Sequence, residues 1–161
     1  MTGPQQGQEP AEHRRFADHL AALEAVSEAD EIDLVTAVLR DEDAVMARGA
    51  VGRHLDRRAD RLLTDSRFPA WAQTLAVVIA EHEFLARRLR EWTLLRRIAL
   101  GEPWTAEELA GASDWCQRTI VSAQAMTSPE ALGLPAARGR TRRVRNAAAG
   151  RLRRPDSPDP A

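Results

Sequence analysis

Eight arginines crowd the stretch from Arg138 to Arg154, and no acid interrupts them: Arg138, Arg140, Arg142, Arg143, Arg145, Arg151, Arg153 and Arg154. Guanidinium groups at such density do one kind of chemistry well, the pairing of oxyanions. Arg138, Arg142 and Arg145 recur at helical spacing, so three of them are expected along one side of a helix. A stripe of that kind could meet successive phosphates in a salt-sensitive, sequence-tolerant way. Against a dedicated nucleic-acid role stand a pI near 6.4 and the shortage of aromatics beside these arginines, which leaves base stacking without a platform. The alternative is pairing with the acids of the same fold or of a partner protein. Candidate binding residues are therefore Arg138, Arg140, Arg142, Arg143, Arg145 and Arg151. Trp115 joins them as the one tryptophan placed to serve as an exposed anchor.

Catalytic chemistry is harder to find. His13 and His19 lie six apart, on different faces of a helix, and cannot easily share a metal. His82 stands between Glu81 and Glu83, but adjacent residues of a helix point away from each other. A lone histidine on a half-apolar face reads as a packed structural residue. The chain has no H-E-x-x-H, no multi-cysteine cluster and no glycine-rich phosphate loop. Gly49 and Gly52 fall inside a helix, where their tolerance suggests close approach by a neighbour. Cys116 is the single cysteine and lies on an inward stripe, where a thiol is inert. Trp71 and Trp92 fall on core stripes, and Trp104 is placed to staple a helix start. These residues imply neither a catalytic site nor a metal or cofactor.

The elements that must position the arginines are all helical. Phe68–Leu100 is the organising stretch: Trp71, Leu75, Val78 and His82 share one face, then Leu85, Leu89, Trp92 and Ala99 repeat the period, and Gly101 stands where a helix stops. Ahead of it, helices are expected over about 12–26 (Phe16, Leu20 and Leu23 inward), 31–39 and 44–57, with a short one ending at Leu63. Asp30 and Asp43 are read as their N-caps. Behind it, Thr105 and Glu108 form a capping box, and Leu109, Ala112, Cys116, Ile120 and Ala123 make an inward stripe that Gly111 and Ser113 could split. Thr127 to Glu130 starts a helix that Pro135 shortens or kinks, and a last helix spans about 141–153. Residues 1–11 and 155–161 read as disordered tails around a single domain at 12–154.

Two places resemble the helical hairpin of HEAT repeats. One is Val144-Arg145-Asn146-Ala147-Ala148 with Leu152 closing the inward face, preceded by a first helix at Pro129–Arg138. The other is Asp33–Leu55, with its turn at Asp41-Glu42-Asp43, where Met46 and Ala47 replace the valine and arginine. The resemblance implies stacked antiparallel hairpins sharing one core, a short solenoid. An irregular all-helical bundle is the alternative.

Charge and composition frame the rest. Up to Asp43 eleven acids face three arginines, while from Ala131 onward eight arginines face two acids, although the whole chain carries only −1. Every one of the 23 basic residues is arginine, which reads as the codon bias of a high-GC, actinobacterial genome and weakens arginine richness as a functional sign. The start lacks the basic and apolar regions of a secretory signal, and no apolar run approaches the roughly 20 residues that cross a bilayer. The expectation is a cytoplasmic, non-catalytic module that presents a helical surface to another protein and makes no use of a membrane. A nucleic-acid-binding module acting through Arg138–Arg154 is the first alternative. An enzyme with a site assembled from scattered Glu, Asp and Arg side chains is the second.

Overall fold

The computed structural model describes residues 10–123, 126 and 128–154. Among these the chain is all-helical, with no strand. The helices run α1 (Ala11–Ala25), α2 (Glu31–Leu39), α3 (Ala44–Leu62), α4 (Phe68–Val78), α5 (Glu83–Ala99), α6 (Ala106–Ala110), α7 (Asp114–Ser122), α8 (Pro129–Arg138) and α9 (Arg142–Leu152). None is long and apolar enough to cross a membrane. The expected tails at 1–11 and 155–161 lie outside the described residues, apart from Pro10 and Ala11, which open α1. Thr127 lies outside them too. The chain divides into two compact units, one of Met1–Arg61 and Pro69–Leu89, the other of Leu62–Phe68 and Arg90–Ala161.

In the first unit the apolar interior comes from Leu23, Val35, Val38, Ala47, Ala50, Val51, Leu55, Ala59, Leu75, Ile79 and Leu85, all nearly without solvent contact. Burial at 47, 50, 51, 54, 55, 59 and 62 holds one helical face from end to end, so α3 runs unbroken to Leu62 rather than stopping near Arg57. Residues 57–62 contain neither Gly nor Pro, and nothing in them breaks the backbone ladder. Asp43 caps α3 as expected, its Oδ1 accepting from the Val45 and Met46 N–H groups at 3.2 and 3.0 Å. Asp30 does not cap α2 with its side chain. Its carboxylate accepts from the Ser27 hydroxyl at 2.7 Å, and its own N–H donates back to Ser27 Oγ at 3.2 Å, closing the turn before the helix.

The inward face of α4 is rotated from the expected one. Ala72, Leu75 and Ile79 are buried, whereas Trp71, Val78 and His82 are half-buried. The helix ends at Val78, so His82 falls in the turn beyond it. The two α3 glycines are not forced by a neighbour either. A Cβ on Gly49 would sit 3.5 Å from the Phe16 ring, and one on Gly52 would sit 3.6 Å from Leu85 Cδ2, both ordinary contacts.

In the second unit α5 ends in a Schellman motif. Gly101 takes φ +68°, the Glu102 N–H donates to the Arg97 carbonyl at 2.8 Å, and the Gly101 N–H donates to that of Ile98 at 3.2 Å. The Thr105–Glu108 capping box forms, and Ser113 caps a separate α7 by accepting from the Cys116 N–H. Glu91 fixes that junction, accepting from the N–H and the hydroxyl of Ser113 at 2.7 Å each. Leu109, Ala112, Cys116 and Ile120 form the buried part of the expected stripe, and Ala123 at its end is half-buried. α9 packs chiefly on α8, and also on α7, with Val121, Val144 and Ala148 buried together and Ala136 against them. Leu152, expected to close the inward face, is 40% exposed.

Candidate functional site

The arginines of the C-terminal stretch divide into two groups with different work. Arg151 is a structural clamp. Its Nη1 donates to the carbonyls of Ile120, Val121 and Ala123 at 2.9–3.0 Å, and its Nη2 donates to that of Met126 at 2.8 Å. Those carbonyls close α7 and the segment after it, where a helix has acceptors but no donors of its own. A cation there also meets the negative end of the helix. Arg145 braces the turn before its own helix, donating from Nη1 to the Gly139 carbonyl at 2.7 Å. Both belong to the expected binding set, and both also hold backbone carbonyls, Arg151 four of them and Arg145 one.

Arg138, Arg140, Arg142 and Arg143 are exposed, and no described carboxylate pairs with them. They do not form the expected single stripe. Arg138 ends α8, Arg142 and Arg143 begin α9, and Gly139–Thr141 interrupts the helical spacing between them. Instead, a tight turn presents the four guanidinium groups. Gly139 makes the turn possible: a Cβ there would collide with the Pro135 carbonyl oxygen and stand 2.8 Å from Val144 Cγ1. The Arg140 N–H donates to the buried Gln117 side chain at 3.2 Å. Thr141 caps α9 by accepting from the Val144 N–H at 3.2 Å. Together with Arg145, these bonds pin the turn from three directions. Trp115 is not the expected exposed anchor: it is half-buried and meets Trp92 edge-on, with ring centroids 5.4 Å apart at 65°.

The first unit holds a polar cluster that sequence spacing does not announce. Glu31 is 2% exposed and His54 4%. Glu31 Oε1 accepts from His54 Nε2 at 2.7 Å and from Trp71 Nε1 at 3.1 Å, and Oε2 accepts from Arg58 Nη2 at 3.2 Å. Burial pushes this carboxyl up, but the His54 and Trp71 hydrogen bonds and the Arg58 charge outweigh it and hold it below the ordinary value of 4.5. Such a carboxylate stays ionised and is a weak base, so it orients α2, α3 and α4 rather than moving protons. His54 is thus packed and held by Glu31. Its partner lies 23 residues away, and only an acid on the apolar face of α2 could have hinted at it.

No family model, curated protein or solved structure matches the chain.

Proposed function

We propose that the chain is a non-catalytic interaction module whose α8–α9 turn docks an acidic segment of a partner protein. One observation carries this reading: four exposed arginines, unpaired by any described carboxylate, stand on a backbone turn held by Gln117, Arg145 and Thr141. Elsewhere the same residue type is matched internally, as in Arg58 with Glu31, Arg88 with Asp56 and Arg97 with Glu108. A pinned backbone lowers the ordering cost of binding, which otherwise consumes much of the gain from each contact. The HEAT-like reading of Pro129–Leu152 belongs to the same proposal. It is supported by two helices, a short turn and an arginine bracing that turn. A reducing, cytoplasmic setting suits the lone buried thiol of Cys116.

A second reading, nucleic-acid binding, is favoured by the position of Arg142 and Arg143. They occupy the first turn of α9, which holds no acid, and a helix start there favours anions. A catalytic reading gains nothing from Glu31, the desolvated carboxylate of the first unit, because three donors already hold it ionised.

Fluorescence anisotropy separates the first two. An oligoglutamate peptide and a random DNA duplex are titrated with the protein and with the Arg142→Gln/Arg143→Gln variant. Saturable peptide binding that the variant weakens by about tenfold, with little DNA binding at low salt, supports the protein partner. DNA binding with a steep salt dependence, lost in the same variant, supports nucleic acid instead. Absence of both at low salt removes the turn as a docking site.

A further inference from the structure

Beside Glu31 and His54 lies a pocket of about 60 Å³ lined by Leu23, Glu24, Val26, Glu31, His54, Arg57, Arg58 and Arg61. Its arginines come from one edge of α3, where 58 and 61 share a face and 57 and 61 stand one turn apart. The two carboxylates in its wall differ in kind. Glu31 is buried and saturated by His54, Trp71 and Arg58, whereas the Glu24 side chain is 64% exposed and holds Arg57 through a surface pair at 2.6 Å. Exposed pairs of this sort contribute little and exchange readily. Arg61 is exposed and has no ion-pair partner among the described residues. Arg58 is anchored by Glu31 and Glu28, yet its Nε–H is buried and finds no acceptor among the described residues. Arg58 lines the pocket, and an ionised guanidinium in a pocket wall is the kind of group that pairs with an oxyanion.

We propose that this pocket is an oxyanion site of the phosphate class, with Arg57, Arg58 and Arg61 as its donors. Within the lining three guanidinium groups face one exchangeable carboxylate, Glu24, and one already committed, Glu31; Glu28, 3.5 Å from Arg58, completes a balance that the release of Glu24 tips to the positive side. The occupant displaces Glu24 from Arg57, gains Arg61 from the surface and meets Arg58, which Glu31 has already oriented. The volume admits more than one water-sized group and therefore one small tetrahedral anion, and no nucleobase or sugar. A phosphoryl group can arrive as the free ion or on a larger molecule that leaves its remainder in solvent. This inference is independent of the α8–α9 turn, which belongs to the other unit.

The test uses the full chain and inorganic phosphate, titrated by calorimetry and followed by thermal denaturation against sodium chloride of equal ionic strength. The expected result is saturable binding with a rise in Tm beyond the chloride control. Arg57→Gln/Arg61→Gln, two positions that reach solvent and leave the Glu31 cluster intact, weakens phosphate by about tenfold or more. Arg142→Gln/Arg143→Gln leaves it unchanged. O-phosphoserine as a second probe separates the sources: tighter binding than phosphate points to a phosphorylated molecule, equal binding to the free ion. The proposal is overturned if phosphate gives no saturable effect beyond chloride, or if the Arg57→Gln/Arg61→Gln chain, folded by circular dichroism, binds as well as the parent.

Discussion

Glu31 ties α2, α3 and α4 of the first unit together, collecting an imidazole, an indole N–H and a guanidinium at once. Glu31→Gln keeps the shape but removes the charge, leaving Arg58 as a half-buried cation without its best partner. The expected loss is about 3 kcal/mol, read from urea denaturation, since breaking one side of a buried ion pair costs several kcal/mol. Gly139 and Gly49 make an opposed pair of tests. Gly139→Ala drives a methyl into the Pro135 carbonyl and Val144 and is expected to cost about 2 kcal/mol. Gly49→Ala meets only the Phe16 ring at contact distance and is expected to gain up to about 1 kcal/mol by helix propensity. The sequence marks Gly49 as unusual, because it falls inside a helix, but gives no sign of Gly139. What separates them is a carbonyl oxygen whose position depends on how α8 enters the turn. The same limit hides Glu31 and Arg58, whose partners are more than twenty residues away and leave no local spacing.

Most helix starts were legible, because caps are local chemistry, whereas the Asp30 cap and the stop of α3 were not. Asp43, Ser113, Ser128 and the Thr105–Glu108 box all act as their residue types require. Faces were less legible. In α4 the run FPAWAQTLAVV is apolar nearly all round, so two adjacent stripes fit the period equally well, and packing chose Ala72, Leu75 and Ile79. The arginines of the last helix hold the same ambiguity, since a guanidinium is equally suited to solvent, a carboxylate or a helix end. Arg151 resolves it by reaching four carbonyls, and Arg151→Met is expected to cost about 2–3 kcal/mol as those acceptors lose a charged donor. Arg151→Lys should rescue little, because an ammonium lacks the fork that spans Ile120 to Met126. Arg142→Gln/Arg143→Gln should leave Tm unchanged or slightly raised, since both guanidinium groups oppose the dipole of α9.

Across the whole chain the acidic beginning and basic end nearly cancel at neutral pH, so the response to acid begins only where carboxylates take up protons. Glu31, Asp41, Glu108 and Glu130 are held below their ordinary values, and Asp65, bonded by the Arg67 side chain and backbone, is held to about 2. A carboxyl lowered in the folded state contributes stability that is complete above its unfolded value and is lost as pH falls through its folded value. The urea midpoint should therefore stay level from neutral pH down to near 4.5 and then decline, and the decline should be shallower in Glu31→Gln. The all-helical class was open to sequence reading because every segment carries the same period. The division into two compact units was not, because α3 and α5 each supply residues to both and no linker composition marks the boundary. Cys116 turns that second unit into its own clock. A thiol with no solvent contact reacts with an aromatic disulfide reagent only when the structure around it opens. The labelling rate in water, compared between the parent and Arg151→Met, would therefore report how often the clamp at the end of α7 lets go.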